Sequence, residues 1–377
     1  MSLYWPPEEQ DIDLTGPRLH AIVIGAGEYP HLKPGAPNAA GTNFGLGQLT
    51  TTTITAKRIA EWLATKYTNT AVQFGSIELL LSPGEQVTRP DGKDVVIEEA
   101  TLANITDAFR KRWLKRCLAQ PGGIAFFYFA GHGLSAGAAQ YLLPSDFSDP
   151  AGTRWERCID FKASRSGMGH VKATQLFFVD ACRETPIDAL TQANPPTGAR
   201  LVDDATMFDQ PASIATYYAA AQGLQAYGPE DDATYFATAV IDSLDGAAAL
   251  NRNGKLQVDT FTLSNALGQI ISSIAADLNK PLACNPDPSG VAATIHTPPA
   301  AHVRTSIGCQ TPQANAESAI LLQRGGVAIQ SAAGQDRPWT GRLTPGDWNI
   351  HLTFQNFPQQ TRTETLMPPL FELEVEL

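Results

Sequence analysis

Residues 124–129, IAFFYF, are apolar at every position. A strand with one wet face alternates apolar and polar residues, so an unbroken apolar run asks for cover on both faces. Other segments of the chain read as strands too. RLHAIVIG (18–25) ends in Gly25-Ala26-Gly27, residues 72–82 are stopped by Pro83-Gly84, and TQLFFVD (174–180) and SIATYYAA (213–220) follow. Between them lie stretches of helical spacing. Residues 54–67 carry Ile54, Ile59, Trp62 and Leu63 on one side, and residues 98–119 carry Leu102, Ile105, Phe109 and Trp113 as a stripe. Helices are also expected at about 233–245 and 259–279. Strand and helix in alternation give an α/β fold, a mostly parallel sheet flanked by helices.

The character changes after about residue 280. Residues 281–312 are rich in Pro, Ala and Thr, and short alternating segments such as SAILLQ, WNIHLTF and FELEVEL follow, separated by Gly325-Gly326 and Pro345-Gly346. The expected organisation is a domain over 1–280, a linker or irregular strands over 281–315, and a small β-sandwich-like domain over 316–377. His351 alternates with apolar neighbours and reads as an outward polar position.

Several function classes are disfavoured. A net charge of −11 argues against a general nucleic-acid binder. The one basic cluster (Arg110, Lys111, Arg112, Lys115, Arg116) fits a solvated helix face beside Phe109, Trp113 and Leu114. No run approaches the ~20 apolar residues of a membrane span, and the first residues lack the pattern of a signal peptide. The five cysteines include no C-x-x-C pair, which fits a reducing compartment, so a cytoplasmic protein without a cysteine-rich metal site is expected. Gly25-Ala26-Gly27 has no third glycine in register for a dinucleotide loop, which disfavours a flavodoxin-like nucleotide-binding module.

Two motifs carry chemistry. His132 lies in YFAGHG and Cys182 in FFVDACRE, each just past an apolar strand. In parallel sheets, function gathers beyond the carboxyl ends of the strands. If the two strands are neighbours, a thiol and an imidazole share one crevice, the parts of a cysteine nucleophile with its base. Gly131 and Gly133 would let backbone approach a substrate closely, and the N–H groups of Gly133 and Cys182 could form an oxyanion hole. Asp180, two residues before Cys182, could bind a cationic substrate side chain; the alternative is a strand-end acid capping the following turn. His170, before the same strand, is the weaker rival among the histidines.

These residues resemble the caspase-like clan of cysteine peptidases. The pairing of FAGHG with DAC is similar to that clan's histidine and cysteine signatures, at a separation close to the ~50 residues typical of caspases. AIVIGAGEYP is similar to its opening strand and turn, and YYAAAQGLQAYGPEDDATYFATAVIDSL to its fifth strand, substrate loop and following helix. The likeness covers roughly residues 15–280. It implies that His132 is the base, Cys182 the nucleophile, and Gly133 and Cys182 the oxyanion donors. Asp180 stands where animal caspases carry Gln, as in metacaspases and paracaspases, which implies cleavage of proteins after Arg or Lys. Glu184 replaces the usual Gly, and Asn38-Ala39-Ala40 lacks an acid that metacaspase-like chains often carry. The resemblance further implies a zymogen cut in the 183–212 loop, with Arg200 the candidate self-cleavage site and an activating protease or regulator as a partner. No cofactor is required by this chemistry. Calcium, needed by some metacaspases, finds weak support, since Asp203-Asp204 and Glu230-Asp231-Asp232 lack the spacing of a calcium loop. Roles in cell death or antiviral defence follow by analogy alone. The alternative is a caspase-fold scaffold, catalytically silent, that acts by partner binding.

Overall fold

The computed structural model describes residues 2–34, 39, 45–136, 139–150, 154–183, 197–202, 213–221, 223 and 226–376. Seven strands form the main sheet: β1 (Leu3–Trp5), β2 (Arg18–Ala26), β3 (Gln73–Ser82), β4 (Ile124–Gly131), β5 (Thr174–Ala181), β6 (Ser213–Tyr218) and β7 (Asn285–Gly290). Their order is β1-β3-β2-β4-β5-β6-β7. The five inner strands run parallel, and β1 and β7 close the edges antiparallel. The sheet is therefore mixed, with the mostly parallel centre that the apolar runs predict.

Strand β4 shows why its sequence is apolar throughout. Phe126, Tyr128 and Ala130 enter one core layer, and Ala125, Phe127 and Phe129 enter the other. The first layer is closed by α1 (Thr51–Thr65), α3 (Tyr235–Asp242) and α4 (Thr260–Leu278); the second by α2, a helical run from Leu102 to Ala119. The expected start of α2 at 98 is too early. Thr101 caps the helix by accepting from the Asn104 N–H, and Glu99 bridges to Leu81 instead. Ala108–Trp113 within this run is π-helical.

The basic cluster on α2 is not wholly solvated, contrary to expectation. Arg116 is buried and donates from Nη1 to Glu78 at 2.6 Å and from Nη2 to Glu9. Arg112 also reaches Glu78, at 3.2 Å. Helical spacing puts Arg112 and Arg116 on one side of the run, and a buried carboxylate on β3 draws both inward. A buried acid of this kind demands paired cations.

Of the two alternatives for residues 281–315, a linker or irregular strands, strands are found. Strand β7 completes the main sheet, and β8 (Val303–Cys309) belongs to the C-terminal part. There, β8 with β11 (Trp339–Leu343) and β14 (Leu370–Val375) forms one small sheet. β9 (Ser318–Arg324), β10 (Val327–Ala333), β12 (Gly346–Phe354) and β13 (Gln360–Leu366) form another. The two share a core of Val303, Ile307, Ile320, Leu322, Trp348, Ile350 and Leu352. His351 bonds Thr361 and Gln323 on the outer face, as its alternation predicts. A polar seam joins this unit to α3. Buried Asp242 accepts from Arg342 Nε at 2.7 Å and pairs with His302 Nε2 at 2.9 Å, and Asp245, just past α3, pairs with Arg342 Nη1 at 3.3 Å. No helix among the described residues is long and apolar enough to cross a membrane.

Candidate active site

Strands β4 and β5 are direct neighbours, and their register pairs Asp180 with Ala130 and Ala181 with Gly131. His132 and Cys182 are each the next residue, so they leave adjacent strand ends together. Both line one cleft of about 420 Å³, with Asp180, Thr234, Tyr227 and Glu230 also in its walls. His170 does not share it. It lies before the start of β5, at the opposite end of that strand.

The imidazole of His132 is buried, and its Nε2 lies 2.7 Å from the Gly47 carbonyl oxygen. A carbonyl can only accept, so Nε2 carries the proton and Nδ1 holds the lone pair of the neutral ring. Burial lowers the His132 pKa and the bond to Gly47 acts the other way, with a net downward shift. A neutral ring with one basic nitrogen is what a general base needs.

Tyr29 holds this arrangement together. Its hydroxyl accepts the His132 N–H at 2.8 Å and donates to the Leu143 carbonyl at 3.1 Å. Its ring lies against the imidazole, with centroids 4.8 Å apart. Gln48 bonds both backbone groups of Tyr29, which ties the Gly47 segment to the end of β2. That segment comes close only because glycines flank Ala26, the last residue of β2. A Cβ at Gly25 would sit 2.7 Å from the Thr52 carbonyl oxygen, and one at Gly27 would sit 2.4 Å from that of Leu49.

The glycines beside His132 have a packing reason beyond substrate approach. A Cβ on Gly133 would lie 2.6 Å from the Cys182 carbonyl oxygen and 2.9 Å from the Ala181 Cβ. One on Gly131 would lie 2.9 Å from the Tyr29 hydroxyl. Glycine at 133 is therefore what lets the histidine turn and the cysteine turn touch. Cys182 is half-buried, and the Ala226 N–H points at its sulfur at 3.4 Å. The Gly223 N–H donates to the Arg183 carbonyl at 3.0 Å, and the Arg183 guanidinium stacks on Tyr218 at 4.3 Å.

Asp180 is 3% exposed. Its Oδ2 accepts from the Tyr128 hydroxyl at 2.9 Å and from the Thr234 hydroxyl, while Oδ1 has no partner among the described residues. Among the described residues it caps no N–H of the turn that follows β5; the capping residue nearby is Thr234, whose Oγ1 accepts the Ala237 N–H at the start of α3. Burial raises the Asp180 carboxyl to about 6, against the lowering effect of the two hydroxyls.

Arg200 is exposed, but its backbone is tethered. Its carbonyl accepts from Arg110, the Ala199 N–H donates to Cys158, and the Leu201 N–H donates to Ser164. Glu184, Asp203, Asp204, Asn38, Ala40 and most of the 183–212 loop lie outside the described residues. No cluster of His, Cys, Asp and Glu able to hold a metal ion occurs among the described residues.

Sequence reading missed Gly47, Tyr29, Gln48, Tyr128 and Thr234. Two of them left a signal. Tyr128 is the lone hydroxyl in IAFFYF, and Thr234 precedes the helical YFATAV as an N-cap residue would.

The sequence profile of the caspase domain family matches residues 18–259. The uncharacterized protein y4kE of Sinorhizobium fredii is 27% identical over 212 residues, 54% of this chain and 59% of that one. A probable protease of a Desulfuromonadales bacterium is 29% identical over 138 residues, 35% of this chain and 16% of that one. The matches thus span less than two thirds of the length of either relative. Among solved structures, a Geobacter sulfurreducens protein superposes with a TM-score of 0.44 at 12% identity, covering 75% of this chain and 98% of that one. Caspase-1 of Spodoptera frugiperda gives 0.41 at 11%, covering 76% and 94%.

Proposed function

From the caspase domain family, to which this chain belongs, we propose a cysteine endopeptidase that cuts proteins after Arg or Lys. The observation that carries this reading is the Asp180–Ala130 and Ala181–Gly131 register. It delivers a thiol, a neutral imidazole and a buried carboxylate with one unpartnered oxygen to a single cleft.

In this reading Cys182 Sγ attacks the scissile carbonyl carbon, and His132 Nδ1 takes the thiol proton. The oxygen of the tetrahedral adduct is stabilised by the Gly133 and Cys182 N–H groups. The C–N bond breaks as the leaving amine takes the proton from Nδ1, leaving a thioester. Water, deprotonated by Nδ1, then releases the carboxylate product and the thiol. Gly47 holds the ring in the tautomer these steps use. Asp180 Oδ1 accepts the cationic P1 side chain. The residues supply this chemistry without a cofactor, and assays with EDTA or with calcium read whether an ion modulates it.

A zymogen step belongs to the same proposal, with the 183–212 loop cut and Arg200 as candidate site. The bonds that hold Ala199, Arg200 and Leu201 must open first, so a cut at Arg200 is expected to be slow in the resting protein.

Fluorogenic peptides ending in Arg, Lys or Asp, with Cys182→Ala as control, test the reading. Cleavage after Arg or Lys, lost in the variant, is expected. Cleavage of Asp peptides alone refutes the role of Asp180. No cleavage before or after proteolytic nicking favours the silent scaffold. Intact mass of wild type against Cys182→Ala tests self-processing, which the absence of any Cys182-dependent fragment would exclude.

A further inference from the structure

The cleft holds a second carboxylate that the reaction does not use. Glu230 lines the same walls as Asp180, and among the described residues no Lys or Arg lines them with it. The two acids differ in setting. Asp180 sits at the base, buried, with Oδ2 taken by two hydroxyls and Oδ1 without a partner among the described residues. Glu230 is exposed at the rim, with no ion pair engaging it among the described residues.

The loop that carries Glu230 is fixed on both sides. Asp232 pairs with Arg58 on α1 at 2.5 Å, and Thr234 caps α3 while its N–H donates to Thr55. Pro229 precedes Glu230, and Asp231 adopts a left-handed φ of 56°. Glu230 is thus presented to the cleft by a tethered turn, while the next two acids are directed elsewhere: neither Asp231 nor Asp232 lines the cleft.

We propose that this cleft recognises two basic side chains of one peptide, the P1 residue at Asp180 and a second, at P2 or P3, at Glu230. The inference rests on the P1 reading given above. One unpartnered oxygen at Asp180 serves one cation, so a second acid in the same cleft is left for a second one. An extended peptide advances ~3.3 Å per residue, which brings P2 and P3 to the mouth of a cleft whose base holds P1. Because Glu230 is solvated, its pairing contributes as a surface ion pair does, about 2–5-fold in kcat/KM. It also weakens with salt, since the screening length falls from ~8 Å at 0.15 M to ~3 Å at 1 M.

The test compares four-residue fluorogenic peptides with Arg at P1 and Ala elsewhere against peptides with a second Arg or Lys at P2 or P3. Wild type should favour the doubly basic peptides by about 2–5-fold at low salt, with the ratio shrinking at 1 M salt. Glu230→Gln should bring the ratio close to one. Asp231→Asn removes the same charge one residue away, at a φ that asparagine tolerates, and should leave the ratio as in wild type. A ratio near one in wild type, or one that survives Glu230→Gln, overturns the proposal while singly basic peptides are still cut. Failure to cut any peptide with P1 Arg, while another P1 residue is accepted, overturns the P1 reading itself.

Discussion

Replacing Asp180 with asparagine should make the protein more stable and less selective in one step. The carboxyl is raised from 3.8 to about 6, chiefly by burial. At ~1.4 kcal/mol per pH unit, this corresponds to about 3 kcal/mol in favour of the neutral form. The direction of the effect on folding follows from proton counting. Between pH 4 and 6 the folded chain keeps a proton that the unfolded chain has lost, so this group lowers stability as pH rises through that window. The full cost stands above pH 6. Asparagine is neutral at every pH, and its amide oxygen can accept from Tyr128 and Thr234 as Oδ2 does now. Asp180→Asn should therefore exceed wild type by up to about 3 kcal/mol at pH 8, with the difference closing towards pH 4. Urea unfolding of both proteins at the two pH values measures it. In peptide assays wild-type kcat/KM for P1 Arg should rise with pH through about 6 as Asp180 ionises. The variant should lack that limb and lose the preference for P1 Arg. Equal stability at pH 8, or a difference that does not change with pH, would refute the claim that Asp180 is held ionised against its surroundings.

Three further outcomes are expected. Tyr29→Phe removes the hydroxyl that links the His132 N–H to the Leu143 carbonyl; it should cost about 1–3 kcal/mol and lower kcat more than it changes KM, read by chemical denaturation and steady-state kinetics. Gly133→Ala forces a Cβ to within 2.6 Å of the Cys182 carbonyl oxygen. It should destabilise by about 1–3 kcal/mol and abolish turnover while far-UV circular dichroism stays native. At the seam, burial raises the Asp242 carboxyl, but the His302 hydrogen bond and the Arg342 charge outweigh it, and the net shift is downward. Asp242→Asn should therefore weaken docking of residues 303–377 at neutral pH and lose its effect at acid pH, where wild-type Asp242 is protonated as well. Limited proteolysis across pH reads the release of that unit.

The fold was legible wherever one physical demand dominated. The unbroken apolar run at 124–129 asks for cover on both faces, and β4 divides its side chains between two core layers. His132 and Cys182 were legible for a related reason: each follows such a run, and parallel strands end on the same side of a sheet. What sequence could not supply were contacts made across long separations. Gly47 reaches His132 through a backbone carbonyl, which no residue type announces. Tyr29 acts through a hydroxyl 103 residues from the histidine. Arg116 looked solvated because helical spacing knows nothing of a carboxylate buried on another strand. Residues 281–312 read as a linker or irregular strands because their prolines and alanines carry no clear period, so sequence could not say that β7 pairs with β6 with prolines at 286 and 288. An edge strand tolerates proline where its N–H would face outward.

In the proposed reading, burial suits the base of this crevice and opposes its substrate acid. Burial disfavours charge on any group, so it pushes His132 towards the neutral ring and Asp180 towards the neutral acid. The neutral ring is the state the base needs, and nothing further is required of it. The neutral acid is the wrong state for holding a cation. Tyr128 and Thr234 offset part of that effect by donating to Oδ2, but Oδ1 has no partner among the described residues. A P1 ammonium or guanidinium supplies it. Binding a basic side chain should then displace the Asp180 proton and relieve the cost of the buried charge, whereas a neutral side chain leaves that cost in place. Selectivity in this reading comes from an acid left incomplete until the substrate arrives, so peptide binding near pH 6 should release a proton in wild type and none in Asp180→Asn.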